Sequence, residues 1–161
     1  MSRIAYHGFK KETSQLRRSL NAHFGKLHSF TEKIARKEVS DEPGVYMIYR
    51  DGKMTRRPIY IGSSSNLHRR LFDNFEKARS HSFATHICQK WKIVSKEEYL
   101  AKIRSKWRYR FLHTERGKEF YVETLAIAAF YPDYDRVLWA VKGIKGSDVS
   151  RTAKKLLASR L

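Results

Sequence analysis

Val45-Tyr46-Met47-Ile48-Tyr49 and Ile59-Tyr60-Ile61 decide the fold. Both runs are β-branched and aromatic, the composition that fills a pleated, half-buried surface. Between them stand Asp51-Gly52, a turn dipeptide, and Pro58, which suits the start of a strand. Together they predict an antiparallel hairpin whose loop is basic at Lys53, Arg56 and Arg57.

On the C-terminal side, Ser63-Ser64-Ser65-Asn66 offers several N-caps for a helix over 67–78. On a helical wheel Leu67, Leu71, Phe72 and Phe75 fall within about 140°. Arg70 and Asn74 lie at one edge of that stripe, with Lys77 beside Arg70, while Arg69 points nearly the opposite way. Of the two adjacent arginines, Arg70 is therefore the one a neighbouring sheet edge can use. Gly62 is read most simply as the residue that lets the strand end turn into this helix. Residues 79–106 predict two further helical pieces, the second opened by a Ser95/Glu98 capping box. Trp107-Arg108-Tyr109-Arg110-Phe111 alternates apolar and basic, as a half-buried strand does. A helix over 118–131 follows, then a basic tail with Gly143 and Gly146.

On the N-terminal side, Leu16, Leu20, Phe24 and Leu27 recur at spacings of three and four, with Arg17, Arg18 and Lys26 between them. Phe30 and Ile34 mark a second short amphipathic stretch. Pro43 ends it, because the residue before a proline is pushed out of the helical region. The expected organisation is a basic helical extension over 1–42, a central domain over 43–136 and a basic tail over 137–161. The extension is expected to be accessory: removing residues 1–38 should weaken binding more than it unfolds the domain.

Charge narrows the partner. Among 161 residues, 34 are Lys or Arg and 16 are Asp or Glu, a formal charge of +18. The excess is spread along the chain, from nine basic against three acidic in 1–40 to ten against four in 81–120. That distribution suits a polyanion, and nucleic acid is preferred over an anionic membrane surface, since no long amphipathic basic helix dominates. Hydrophobic residues at 41% and aromatics at 13% are enough for a core and exclude a disordered basic chain. The one cysteine, Cys88, excludes an internal disulfide and a cysteine zinc set, so a reducing, cytoplasmic setting is expected. No apolar stretch approaches the ~20 residues that span a bilayer.

The residue that points to chemistry is Glu123, the only charge in Phe120-Tyr121-Val122-Glu123-Thr124-Leu125-Ala126-Ile127-Ala128-Ala129-Phe130. A carboxylate among apolar side chains needs a cation, a metal or hydrogen bonds. It is read either as a structural ion pair to an arginine or as a metal ligand or acid/base group. The seven histidines show no metal-binding spacing, and no phosphate-cradling glycine loop or nucleophile elbow is present.

Pro43-Gly44-Val45-Tyr46 followed by Ile59-Tyr60-Ile61-Gly62 resembles the paired signature of the GIY-YIG nucleases. Arg70, eight residues past Gly62, matches the arginine that family places on its next helix. Glu123, with Pro132-Asp133-Tyr134-Asp135, is similar to its glutamate helix and the end of that helix. The resemblance covers residues 43–136. It implies an α+β fold, with a small three-stranded antiparallel sheet flanked by helices, and one Mg²⁺ or Mn²⁺ ion. By the same resemblance Glu123 holds the metal, one of Tyr46 and Tyr60 helps deprotonate the attacking water, and Arg70 binds the phosphate. Without the motif the two tyrosines read as ordinary strand aromatics and Arg70 as a backbone-phosphate contact. The chain departs from the family at Asn74, where many members have His or Tyr, at Ser63, where Lys or another polar residue follows the glycine, and at Asp135, where Asn is usual. Residues 79–106 read as an insertion.

The resulting expectation is a metal-dependent endonuclease of double-stranded DNA, standalone and of restriction or phage type. Arg17, Arg18, Arg56, Arg57, Arg69 and Lys77 are expected along the nucleic acid, and Gly62, Ser63, Asn74 and Asp135 in support. The oligomeric state is open, with a homodimer on DNA as one option. The competing functions are an inactive binding module of the same fold and an RNA-directed nuclease.

Overall fold

The computed structural model describes residues 3–50, 57–78, 80–130 and 132. The Asp51-Gly52 turn, Arg56, Asp135 and the tail over 137–161 lie outside the described residues. In chain order the elements are α1 (Arg3–His23), β1 (His28–Ser29), α2 (Lys33–Glu38), β2 (Gly44–Arg50), β3 (Tyr60–Ser64), a π-helix (Arg69–Phe75), α3 (Ser82–Lys90), α4 (Lys96–Lys106), β4 (Trp107–His113) and α5 (Glu119–Phe130).

The two diagnostic runs pair antiparallel, with Tyr46 opposite Gly62 and Ile48 opposite Tyr60. β4 pairs antiparallel along the other side of β2, giving the order β1-β4-β2-β3. The sheet has four strands where the resemblance implies three. The extra one is a two-residue edge strand in which His28 sits opposite Tyr109. Two residues carry no readable alternation, so nothing in the pattern announces it.

Alternation divides the side chains between two layers. Tyr46, Ile48, Tyr60, Trp107 and Tyr109 face Leu67, Leu71, Phe72, Phe75 and the inner faces of α3 and α4. Val45, Met47, Tyr49 and Ile61 face the other way, against Leu20 of α1, Phe24 just beyond it, and Leu125, Ala126 and Ala129 of α5. β2 is thus covered on both faces, which is why its sequence reads as a continuous apolar run rather than an alternating one. The segment read as an insertion, 79–106, supplies Phe83, Ile87, Tyr99 and Ile103 to the first layer and is part of the core.

Residues before Pro43 are likewise built into the molecule rather than appended to it. Phe24, Phe30 and Val39 are buried, and Leu20 nearly so. Arg110 of β4 reaches across to the C-terminal end of α1 and donates to the carbonyls of Asn21, Phe24 and Gly25 and to the Asn21 side chain. Those carbonyls have no partner within the helix, and a guanidinium at that end also opposes the helix dipole favourably. Glu76, 2% exposed, lies between Arg36 and Arg104 and so ties α2 to the end of the π-helix and to α4. No described helix is long and apolar enough to cross a membrane.

Candidate active site

The two motif tyrosines meet over a glycine. Tyr46 and Tyr60 lie on the same face of neighbouring strands, their rings 5.9 Å apart, and both are buried. Gly62 lies between them: a Cβ there would sit 2.6 Å from the Tyr46 hydroxyl and 2.9 Å from that of Tyr60. This corrects the expectation for Gly62. It stands inside β3, not at its end, and is glycine because two hydroxyls occupy the space of a methyl group.

Arg70 comes to the phenols from the π-helix. The wheel expectation for 67–78 is corrected in one respect: after a single α-helical turn the segment widens, and Glu76 N–H bonds Leu71 C=O, five residues back. Such widened turns recur at functional sites. Arg70 Nε donates to Tyr46 Oη at 3.3 Å and Nη1 to the Ser80 carbonyl at 3.0 Å. Burial opposes the Arg70 charge, but the facing phenols outweigh it and move its pKa up. Tyr46 is pushed well above the usual phenol range, first by burial and then by Tyr60, against the pull of Arg70.

The second phenol partner is one the sequence did not announce. His81, 1% exposed, places Nε2 2.7 Å from Tyr46 Oη and packs its ring edge-on to Tyr60. It caps α3, its side chain accepting from Ala84 N–H. Burial, with the Arg70 charge adding to it, pushes its pKa down to about 3, so the imidazole is neutral. Asn74, at the place where many GIY-YIG nucleases have His or Tyr, lies on the same π-helix as Arg70. The imidazole beside Tyr46 comes instead from eleven residues past Arg70. The only local hint was a histidine immediately before Ser82-Phe83-Ala84, and its contact with Tyr46 spans 35 residues of chain.

Glu123 approaches from the other layer. Ser63 follows Gly62 and so points to the opposite face, toward α5, where its Oγ donates to Glu123 Oε2 at 2.6 Å. Ser63 is therefore a partner of the carboxylate and not a helix cap. Asn66 takes that role, its Oδ1 accepting from Arg69 N–H. Burial raises the Glu123 pKa above the ordinary carboxylate value, against the Ser63 hydrogen bonds and the Arg70 charge. β3 is the last strand in the sheet order, so Tyr60 and Gly62 on one face and Ser63 on the other bring the phenols, Arg70 and Glu123 to the same edge of the sheet.

The expected nucleic-acid contacts are placed as follows. Arg17 donates from Nε and Nη2 to the Ala129 carbonyl, and Arg57 to that of Phe130, so both cap the C-terminal end of α5. Arg18 and Arg69 are exposed, and exposed Lys77 pairs with Asp73 at 2.5 Å.

Among the described residues no group of three or more His, Cys, Asp or Glu is placed to hold a metal ion. The donor chemistry nevertheless fits a hydrated divalent cation. Mg²⁺ keeps most of its waters and can be bound through one carboxylate, and Glu123 is a carboxylate whose burial its present partners do not fully offset.

No protein-family model matches the chain, and no curated protein does. Among solved structures it is similar to the GIY-YIG N-terminal endonuclease domain of UvrC from Thermotoga maritima. A point mutant of that domain bound to its catalytic divalent cation aligns at 20% identity and a TM-score of 0.39, over 65% of this chain and 97% of that one. The magnesium-bound domain aligns at 20% identity and a TM-score of 0.34, over 65% of this chain and 98% of that one.

Proposed function

We propose that this protein is a metal-dependent endonuclease of the GIY-YIG type, hydrolysing phosphodiester bonds of double-stranded DNA in a restriction or phage role. The observation that carries it is the gathering of Tyr46, Tyr60, Arg70 and Glu123, which lie 10 to 77 residues apart in sequence, around the edge of β3. A reducing, cytoplasmic setting suits the lone thiol of Cys88.

The chemistry follows from what each side chain can do. Glu123 would hold the cation, with Ser63 orienting its Oε2. Bound there, Mg²⁺ or Mn²⁺ supplies Lewis acidity toward a phosphoryl oxygen and a water of lowered pKa. Arg70 carries a fixed positive charge at the same edge and offsets the charge that grows on the non-bridging oxygens. Tyr46 holds its proton at neutral pH, so its hydroxyl orients the attacking water or passes a proton along the Tyr46–Tyr60 pair rather than acting as a free phenolate.

The test is cleavage of supercoiled plasmid by wild type and Glu123→Ala, each with Mg²⁺, Mn²⁺ or EDTA. The expected result is metal-dependent cutting by wild type alone, with discrete fragments if recognition is sequence-specific. Binding without cutting on duplex DNA, single-stranded DNA and structured RNA would identify an inactive binding module instead. Cutting confined to RNA would move the substrate class.

A further inference from the structure

The geometry points to His81 as a positioning residue that donates a hydrogen bond to Tyr46 and thereby aims the phenol's only proton away from itself, toward Tyr60 and Gly62. The proposal deepens the nuclease reading and rests on it for its catalytic consequence, but its structural content stands alone.

The tautomer carries the inference. His81 Nδ1 faces the backbone N–H of Ala84 at 3.5 Å, as the cap of α3. A proton on Nδ1 would set two donors against each other there, so the neutral ring carries its proton on Nε2. Nε2 is the atom 2.7 Å from Tyr46 Oη, and the imidazole is the donor in that bond. Arg70 Nε–H donates to the same oxygen. With both acceptor directions of the phenol filled, its own O–H must point elsewhere, and the Tyr60 hydroxyl, which shares the space over Gly62 with it, is a further polar neighbour there. Among the described residues, the groups facing His81 are Tyr46 from β2, Tyr60 from β3, and Arg70 and the Phe75 ring from the π-helix; none of these is a carboxylate. Nothing there favours an imidazolium, and Arg70 disfavours one.

The loop that delivers His81 is itself strained in support of this. Ala78 and Ser80 have φ of 53° and 47°, the left-handed region that residues with a Cβ rarely adopt. The Ser80 carbonyl is held by Arg70. One arginine thus fixes both the phenol and the backbone that carries the phenol's second donor.

The experiment uses the full chain with ¹⁵N-labelled histidine, His81 being assigned by the resonance lost in His81→Gln. A pyrrole-type Nε2 and a pyridine-type Nδ1 at neutral pH, unchanged to about pH 5, are expected. An Nδ1–H tautomer or an imidazolium would overturn the proposal. The second arm measures Mg²⁺-dependent cleavage of duplex DNA. His81→Gln, which keeps an uncharged N–H donor, should retain kcat within about threefold and the same pH profile, whereas His81→Leu should lose about 10- to 100-fold. A folded His81→Gln as inactive as His81→Leu would mean the imidazole must accept the proton, and the proposal fails. If wild type shows no metal-dependent cleavage, the nuclease reading fails, and the ¹⁵N spectrum still decides the tautomer.

Discussion

At the scale of single residues, the packing of the two phenols depends on one absent methyl group. Gly62→Ala would drive a Cβ into the hydroxyls of Tyr46 and Tyr60, the two phenols proposed to serve the reaction. The expected outcome is a destabilisation of about 1–3 kcal/mol, as for other overpacked sites, and loss of cleavage. Adding Tyr46→Phe should recover part of the stability, because the hydroxyl is the nearest clash, but none of the activity; thermal melts of the three variants check this. Glu123 gives a second expectation, with its sign set by the raised pKa. A carboxyl whose folded pKa lies above 4.5 contributes stability below its unfolded pKa and loses that contribution as pH rises through the folded one. At pH 7 Glu123→Gln should therefore melt no lower than wild type without metal. Mg²⁺ should raise the wild-type Tm and leave that of Glu123→Gln unmoved. At this scale the sequence singled out Tyr46, Tyr60, Arg70 and Glu123 as candidates, through motif spacing and an isolated charge. It concealed His81 and the role of Gly62, since both are defined by what stands opposite them across strands.

At the scale of elements, the hairpin, β4 and α5 were legible because each writes its own period: a buried run, an apolar/basic alternation, an apolar helix with one charge. The π-helix was not, because the burial of Leu71, Phe72 and Phe75 is as consistent with one helical pitch as with the other. The standing of α1 was not legible either, since an amphipathic helix looks the same whether it decorates a core or completes it. The structure decides this: α1 covers the face of β2 formed by Val45, Met47 and Tyr49, and Arg110 closes its end. Deleting residues 1–38 is accordingly expected to abolish the cooperative melt, in place of the mild effect the sequence suggested. Arg110→Ala is the gentler test. It removes a charged donor from several carbonyls and should cost about 2 kcal/mol by chemical denaturation, with no change in the residues around the phenols.

At the scale of the whole molecule, the question is which part of a charge of +18 meets nucleic acid and which part holds the fold. Arg17, Arg57 and Arg110 are hydrogen-bonded to helix ends, and Arg36 and Arg104 to buried Glu76. Arg18 and Arg69 are exposed. The two groups should separate in experiment. Each phosphate contact releases counterions, so removing one lowers the slope of log K against log salt by about 0.9 on duplex DNA. Arg18→Ala and Arg69→Ala are expected to reduce that slope while leaving the melt within about 0.5 kcal/mol of wild type, as surface substitutions usually do. Arg17→Ala is expected to do the reverse, because it uncaps the C-terminal end of α5, six residues past Glu123, and leaves the Ala129 carbonyl without its guanidinium. Since α5 carries the carboxylate, Arg17→Ala should also weaken cleavage more than it weakens binding. Salt-dependent binding and melting curves on the same three variants measure both quantities. Equal slopes for Arg18→Ala and wild type would remove α1 from the nucleic-acid footprint and leave it a purely structural helix.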